Sequence, residues 1–407
     1  MFKRNVLAVS MTLAALCSAQ AAMADINGGG ATLPEPLYKT AGVLTAGFAQ
    51  YIGVGSGNGK SAFLNNDYTK FVAGVTNKNV HWAGSDSKLT AAELLAYQNT
   101  KQAGWGKLIQ VPSVATSVAI PFNKTGAGNV NLTVDQLCGV YSGRLTTWDQ
   151  ITPGLTGTIQ VAYRKGASGT TELFTRFLNA KCNPTLENGT FAVTQTFESS
   201  FSRGLPAGAI NPLQEVNPAS TTTPKETFKD TSEGVMGLLN NAQNRITYMS
   251  PDWAATSVAG LGDATKVATI GGVSPAPANV SAAINAIQPP AVASRGDQNV
   301  WVPVFAATTN PNDASVVQYP STGYPILGFT NLIFSQCYAN ADQTTQVRAF
   351  FSKHYGALSN NDTAITNNRF VPLPASWKTA VRDTFVTASN GLSIGNTSVC
   401  NQIGRPL

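Results

Sequence analysis

The sequence predicts an α/β fold in two domains. Segments rich in β-branched and aromatic residues alternate with segments whose apolar residues recur at helical spacing, and this alternation is typical of α/β sheets. Several of the strand-like segments end in turns of small residues that lead into a helix. A chain of 407 residues is also long enough for two domains of ordinary size.

Residues 1–24 have the features of an export signal. Two basic residues precede an apolar core over residues 6–16, and a small-x-small cleavage site ends at Ala24. The apolar core is too short for a permanent membrane anchor. Leu16 stands directly before Cys17, and this bulky residue argues against lipid attachment at the cysteine. We therefore expect a protein that is periplasmic or secreted, with a mature chain that begins after Ala24.

Four cysteines remain in the predicted mature chain, and an even number suits an exported protein with disulfides. Three pairings are possible. We favour the pairing in which each bridge closes a loop within one region of the sequence, namely Cys138 with Cys182 and Cys337 with Cys400. A zinc site is the rival use of four cysteines, but the spacings are long and no Cys-x-x-Cys occurs.

The charge of the chain argues against nucleic acid as a partner. The formal net charge is +6, and no run of basic residues interleaved with aromatic residues occurs. A small anion, in contrast, needs only one local positive site. Charged residues make up 12% of the chain, and its many Gly, Ser, Thr and Asn residues suit a loop-rich exported protein better than a disordered one.

The clearest chemical signal lies in residues 159–178. A strand pattern ends at Arg164, a turn of small residues follows, and Ser168 precedes a run with helical spacing. The N–H groups of a first helical turn, the helix dipole, a hydroxyl at the cap and a guanidinium all favour an oxyanion. The alternative is an ordinary capped helix that follows a solvent-facing arginine.

Three more turns of small residues carry polar groups that suit an anion site. Thr32 follows a glycine run, Ser56 stands between two glycines, and Asp86 follows a predicted strand. These turns bring backbone N–H groups, hydroxyls and one carboxylate close to any bound group. The alternatives are a flexible tail, an ordinary turn, and an aspartate that caps its own backbone.

One glycine cluster is similar to a nucleotide phosphate loop without matching it. The tripeptide Gly59-Lys60-Ser61 ends as that motif ends, but Val54 stands where its first glycine is required. The cluster also lacks the glycine pattern of dinucleotide-binding proteins. Neither motif therefore supports a nucleotide as the ligand.

The rest of the chain supplies further elements of the two domains. Residues 108–122 are extended, apolar and interrupted at Pro112, and we expect the chain to pass there from one domain to the other. Residues 201–229 have the composition of a long surface excursion. The other predicted elements are a capped helix in residues 132–145, strands in 245–250 and 323–335, and helices in 344–355 and 375–392.

These motifs together resemble those of the substrate-binding proteins of bacterial phosphate uptake systems. Within them the chain is similar to the DING proteins, which take their name from the mature start, here Asp25-Ile26-Asn27-Gly28. The match runs over essentially the whole mature chain, and its motifs occur in the right order. The residues that carry it are 30–34, 55–57, 84–86, 137–148, 164, 168–171, 246–248 and 323–334.

The resemblance implies a type II periplasmic binding protein fold, in which two α/β lobes are joined by a hinge and close on phosphate. With the predicted crossing near Pro112 and a return after the strand in residues 245–250, lobe I comprises residues 25–112 and 253–407. Lobe II then comprises residues 113–252.

The resemblance also implies a set of phosphate ligands. Phosphate keeps a proton near neutral pH and can donate it to the Asp86 carboxylate, whereas fully ionised sulfate would meet an unshared charge. Arg164 supplies the one formal positive charge. Carried over position by position, the ligands are Thr32, Leu33 through its backbone N–H, Ser56, Asp86, Arg164, Ser168, Gly169 and Thr170.

One position departs from the family pattern. Family members often carry an acidic residue two places after the arginine, where it can pair with it, but this chain has Gly166 there and Lys165 beside it. We expect Arg164 to be less restrained and phosphate binding to persist.

The function that we predict is high-affinity binding of inorganic phosphate by a monomer without a cofactor. The protein would deliver phosphate to an ABC-type uptake system or scavenge it outside the cell. The alternative is a secreted alkaline phosphatase that uses the same site, an activity reported for some DING proteins. The sequence supports it little, because only His81 and His354 are present and no cluster of His and Asp suggests a two-metal site. A surface or adhesion role is a third hypothesis.

Overall fold

Two mixed β-sheets with helices packed against them form the fold in a computed structural model, which describes residues 26–201, 228–229 and 231–406. The predicted signal peptide in residues 1–24 and nearly all of the predicted excursion in residues 201–229 lie outside the described residues. Among the residues that are described, no helix is long and apolar enough to cross a membrane.

Two long strands lie side by side in the first sheet, and the other strands are short. The long strands are Leu108–Ser117 and Leu327–Ser335, and both are buried throughout. In chain order the described strands are β1 (Gly28–Gly30), β2 (Ile52–Gly53), β3 (Trp82–Ser85), β4 (Leu108–Ser117), β5 (Ile120–Asn123), β6 (Asn131–Leu132), β7 (Gln160–Val161), β8 (Tyr163–Arg164), β9 (Phe228–Lys229), β10 (Arg245–Ile246), β11 (Val267–Ile270), β12 (Val304–Ala306), β13 (Val316–Gln318), β14 (Leu327–Ser335) and β15 (Val371–Pro372).

Several helices begin and end at capping residues that the sequence shows. Thr90 and Thr133 each start a helix with a reciprocal capping box, and Gly143 ends the second of these helices in the left-handed conformation at φ 82°. In chain order the described α-helices are α1 (Glu35–Lys39), α2 (Ser56–Asn65), α3 (Ala91–Thr100), α4 (Gln102–Trp105), α5 (Val134–Ser142), α6 (Gly169–Lys181), α7 (Ser232–Asn241), α8 (Pro251–Ala254), α9 (Pro277–Ile284), α10 (Ala341–His354), α11 (Asp362–Asn367) and α12 (Ala375–Val381).

Two predicted elements are shorter than expected. Within residues 245–250 only Arg245–Ile246 forms a strand, and Met249 adds a single bridge to Ala119. In residues 375–392 the α-helix ends at Val381 and continues only as a π-helical turn, Arg382–Val386. In both segments the apolar pattern reflects burial and does not mark the length of the element.

The first sheet brings the ends of three strands to one edge. Its strand order is β15-β4-β14-β3-β1-β2, in which β1 pairs in parallel with both β2 and β3. The carboxyl ends of parallel strands lie at the same edge, where α/β proteins place their ligands. Thr32 and Asp86 lie in the loops after β1 and β3, and Ser56 begins the helix that follows β2. The sheet therefore positions three of the predicted ligands together.

The second sheet supports the segment that contains Arg164. Its strand order is β6-β11-β5-β10-β7, and β7 pairs in parallel with β10. The chain leaves β7 into β8, which ends at Arg164 and pairs with β9, and then enters α6. Arg164 and the first turn of α6 are thus held on the side of the second sheet.

Strand pairing shows which segments belong to each of the two sheets near the predicted lobe boundaries. Pro112 lies inside β4, where the register with β14 shifts, so an irregularity in the pairing accommodates the missing N–H donor. The chain reaches the second sheet only at Ile120, and Val267–Ile270 still pairs in that sheet, beyond residue 252. We therefore propose that lobe II ends after Ile270, and that the first crossing follows Ser117.

A shared hydrophobic core holds α6 against both sheets. Phe174 stacks on Tyr248 near the second sheet, with ring centroids 4.6 Å apart. Farther along the helix, the ring of Phe177 lies edge-on to Tyr319, which follows the ribbon β12-β13. A Cβ at position 328 would lie 2.5 Å from a methyl group of Leu173, so the absence of a side chain there lets α6 approach β14.

Both predicted disulfides are confirmed. Cys138 bonds to Cys182, which joins α5 to the residue after α6. Cys337 bonds to Cys400, which joins the residues that follow β14 to the C-terminal segment. The first bridge adds a covalent constraint at the far end of the helix whose first turn follows Arg164.

We expect the double substitution Cys138→Ser with Cys182→Ser to lower the free energy of unfolding by about 2–4 kcal/mol, because the unfolded chain gains the entropy of a 44-residue loop. Urea unfolding of the variant and the parent protein measures this difference. The second bridge is tested in the same way with Cys337→Ser and Cys400→Ser, for which a similar loss is expected. An unchanged unfolding midpoint in the first variant would contradict the prediction.

Candidate functional site

Residues from two loops, two helix starts and the end of one strand meet at the edge of the first sheet. The guanidinium of Arg164 donates a hydrogen bond from Nη1 to Thr32 Oγ1 at 3.0 Å. The backbone N–H of Asp86 donates to Ser56 Oγ, also at 3.0 Å. A Cβ at Gly169 would lie 2.5 Å from Ser56 Oγ and would overlap the Asp86 side chain. The structure therefore brings these five predicted site residues together.

The other predicted site residues lie next to that group in the chain and are buried. Leu33 follows Thr32, and Ser168 and Thr170 flank Gly169 in the first turn of α6. The hydroxyl of Ser168 caps the helix by accepting a hydrogen bond from the backbone N–H of Thr171. All eight predicted ligand positions thus lie in one region of the fold.

Two helices begin at this site. The α2 helix starts at Ser56 and has 10 residues, and the α6 helix starts at Gly169 and has 13. Helix N-termini carry partial positive charge and N–H groups that lack intrahelical partners. Gly55, at φ 91°, precedes α2, and a Cβ there would lie 2.6 Å from the carbonyl oxygen of Ala167. The two helix starts therefore approach each other closely.

Asp86 is the acidic group of the site. Its side chain is almost fully buried, and this burial raises its pKa to about 7, against the lowering effects of Thr330, Arg164 and Ser56. The negative charge of Glu172, in the first turn of α6, adds a small upward contribution. The carboxyl group can therefore exchange a proton near neutral pH.

Two site neighbours were missed in the sequence. Ser232 Oγ lies 3.1 Å from Thr32 Oγ1, and the indole N–H of Trp253 donates to the carbonyl oxygen of Thr32 at 3.4 Å. The signal for Ser232 was present, because Thr231 caps α7 and apolar residues follow at helical spacing. Trp253 lies in a four-residue helix and had no comparable signal.

Comparison with known proteins identifies the family. A sequence model described as a PBP superfamily domain matches residues 18–352. The chain belongs to this superfamily, in its DING branch. It is 67% identical to a protein of Pseudomonas aeruginosa called alkaline phosphatase L over the full length of both. It is also 62% identical to a protein of an unknown prokaryotic organism called phosphate-binding protein, over 94% of this chain and 100% of that one.

A solved DING structure extends the similarity to three dimensions. The structure is described as PfluDING, a high-affinity periplasmic phosphate-binding protein bound with phosphate, and it is 65% identical to this chain. The two match with a TM-score of 0.85 over 94% of this chain and 100% of the other. The predicted fold class is confirmed: this DING protein has the two-lobed α/β fold of periplasmic binding proteins.

The two histidines of this DING protein take part in structural hydrogen bonds. His81 accepts from the backbone N–H of Asn27 at Nδ1 and contacts Gln343 at Nε2, and burial lowers its pKa to about 4. His354 contacts Ser113 Oγ through Nε2 at 2.9 Å and the side chain of Asn361 through Nδ1 at 3.0 Å. None of the hydrogen bonds described for these rings reaches Arg164 or Asp86.

The contacts of His354 are similar to those of a catalytic Ser–His pair, but the hydrogen bond to Ser113 runs in the wrong direction for catalysis. The Asn361 amide also donates to a backbone carbonyl, so we assign its NH₂ group as the donor to Nδ1. That assignment leaves the proton on Nε2, which then donates to Ser113 and cannot accept its proton. Nor do the described residues include a group of three or more His, Cys, Asp or Glu arranged to hold a metal ion.

We expect the contribution of Asp86 to the stability of the ligand-free protein to fall between pH 5 and pH 8. An aspartate with a raised pKa stabilises the folded state at low pH, and this contribution disappears as pH rises through the folded pKa, here about 7 for Asp86. The expected loss from Asp86 is on the order of 2 kcal/mol. Urea unfolding in phosphate-free buffer at the two pH values measures it.

The variant Asp86→Asn should show a smaller loss over the same pH range, because the amide does not titrate. Part of the dependence should remain, since burial raises the pKa of Asp252 to about 8. Asp149→Asn, at an exposed position, is the matched control and should behave as the parent protein. An equal pH dependence in Asp86→Asn and the parent would contradict the assignment.

Proposed function

We propose that the protein binds inorganic phosphate in the cleft between its two lobes. The observation that carries this proposal is the convergence of one buried arginine, two helix N-termini and one buried carboxyl group at the same place. The solved relative with bound phosphate supports it. The proposed ligands are Thr32, Leu33 through its backbone N–H, Ser56, Asp86, Arg164, Ser168, Gly169 and Thr170.

Positive charge and hydrogen-bond donors are divided among different groups in the proposed site. Arg164 supplies a full charge, while the first turns of α2 and α6 supply N–H groups and the positive ends of their dipoles. The hydroxyls of Thr32 and Ser56 add short, adaptable donors. Such a site can hold an oxyanion with a single cation, because the fixed dipoles of the helix N-termini stabilise the remaining negative charge of the anion.

Asp86 is the proposed selectivity residue. A phosphate that keeps a proton can donate it to the carboxylate, and the hydrogen bond then offsets the repulsion between the two anions. Sulfate carries no proton near neutral pH and cannot make this bond. Burial makes the discrimination strong, because an unpaired charge is costly where water is absent.

Gly166 stands at the position where relatives often carry an acidic residue. Among the described contacts, Arg164 donates to the hydroxyl of Thr32, which also contacts Ser232. Lys165, next to Arg164, is exposed. We infer that the site keeps its affinity for anions without that carboxylate.

The proposed physiological role is delivery of phosphate to an ABC-type uptake system from the periplasm, or scavenging outside the cell. The relative with bound phosphate is described as periplasmic and as binding with high affinity. We propose that the protein acts as a monomer without a cofactor. Nucleic acid is not a proposed partner.

An alkaline phosphatase acting at the same site is the second candidate. The name of the Pseudomonas aeruginosa relative favours it. The engagement of both histidines in structural hydrogen bonds weighs against it, since no general base from them reaches the proposed site. The binding function is therefore the one that the geometry supports best.

Titration calorimetry of phosphate-stripped protein should give one phosphate per chain and little heat with sulfate. The Asp86→Asn variant should bind phosphate more weakly and sulfate more strongly, so that the ratio of the two affinities falls at least about tenfold, which corresponds to 1.4 kcal/mol. Asp149→Asn is the control. Unchanged affinities for both anions would refute the role of Asp86, and absence of phosphate binding by the parent would refute the function.

For the phosphatase candidate, we expect rigorously purified protein to release no more product from an aryl phosphate than the Arg164→Ala and Ser168→Ala variants do. Contaminating enzyme copurifies equally with all three proteins, so the comparison isolates activity at the proposed site. Turnover by the parent that both substitutions abolish would reverse the choice between the two functions.

A further inference from the structure

We propose that Gln195 is a positioning residue that holds the two walls of the phosphate site together. The first wall comprises Ser56, Asp86 and the residues next to them, and the second wall comprises the first turn of α6, from Ser168. Gln195 is absent from the proposed set of phosphate ligands. The proposal rests on the phosphate-binding function and deepens it by explaining what keeps the closed site closed.

The side-chain amide of Gln195 donates to both walls. Its Nε2 lies 2.9 Å from Ser87 Oγ in the first wall and 3.1 Å from Glu172 Oε2 in the second. Its backbone carbonyl oxygen accepts from the N–H of Ser168 at 2.9 Å. One residue thus contacts the helix cap, the helix first turn and the loop of the opposite wall.

These contacts fall directly beside the proposed ligands. Ser87 follows Asp86, and its backbone oxygen and hydroxyl both lie within hydrogen-bond distance of Ser85 Oγ. A Cβ on Gly57, which follows Ser56, would lie 3.1 Å from Gln195 Oε1. The amide therefore packs against the first turn of α2 and bonds to the loop after β3.

Gln195 also contacts the carboxylate of Glu172, a second acidic group near the site. Glu172 Oε1 pairs with Arg176 at 2.8 Å, and Oε2 accepts from Gln195, so each carboxylate oxygen has a donor. The charge of Glu172 acts on Asp86 by raising its pKa. A neutral amide satisfies this carboxylate without adding charge to a site that must attract an anion.

The hydrogen bond to Ser87 joins residues on opposite walls and requires their close approach. It therefore stabilises the closed cleft selectively and should slow phosphate release without affecting the encounter of phosphate with an open cleft. Substitution of a residue that merely stabilises the fold would lower the unfolding temperature and leave the ratio of the two rate constants unchanged.

The first test is the Gln195→Ala variant, with phosphate release and association measured by stopped-flow fluorescence on the full chain. We expect the release rate to rise by up to about tenfold, as for the loss of the one hydrogen bond that joins the two walls, and the association rate to change less than about twofold. The control is Gln243→Ala, which removes an exposed amide that bonds to Asn123 away from the site. An unchanged release rate in Gln195→Ala would overturn the proposal.

The second test exchanges the donor and the acceptor of the hydrogen bond between Gln195 and Glu172, in two steps. Gln195→Glu places a carboxylate against Glu172, so release should be faster than in the alanine variant. Adding Glu172→Gln restores a donor and an acceptor, and the double variant should release phosphate more slowly than Gln195→Glu alone. A double variant that shows no recovery would contradict direct coupling between the two side chains.

The outcomes for Gln195 and for the proposed function are distinguishable. A parent protein that does not bind phosphate in calorimetry refutes the function and the positioning role with it. A parent that binds phosphate, with variants whose release rates match it, refutes the role of Gln195 alone. Thermal unfolding of each ligand-free variant shows whether a change in release reflects the site or a general loss of stability.

Discussion

The arrangement of the site depends on the close approach of α6 to the loops of the first sheet. Gly169 lies so near Asp86 and Ser56 that a single added carbon atom would collide with both side chains. The positive end of the helix and the buried carboxyl group therefore share one small volume. The apolar contacts along α6 and its disulfide to α5 set where that helix lies, so the packing of the core defines the geometry of the site.

The second constraint is electrostatic. A buried site that contained several cations would bind many anions, whereas this one combines one arginine with dipoles, hydroxyls and a carboxyl group of raised pKa. In the proposed function the carboxyl group limits which anions fit, because it requires a proton to be shared. Neutral side chains, including the hydroxyls of Thr32 and Ser232, then complete the hydrogen bonds without altering the charge.

Several features of the fold could be predicted because they depend on neighbours in the chain. Capping boxes at Thr90 and Thr133 are made by residues three positions apart, so the sequence shows both partners. The two disulfide pairs followed from proximity in the sequence. Pro112, where the sequence predicts the crossing between the lobes, lies inside a long strand, because an irregular pairing with the neighbouring strand accommodates it.

The sequence by itself determined the local chemistry of this protein: an arginine before a capped helix, and glycine turns that carry Thr32, Ser56 and Asp86. These groups are adjacent along the chain, and caps and turns are formed by adjacent residues. Only the tertiary structure decided that Ser232 reaches Thr32, that Gln195 lies between the walls, and that burial raises the pKa of Asp86. Contacts between distant segments and the exclusion of water exist only after the two sheets have packed.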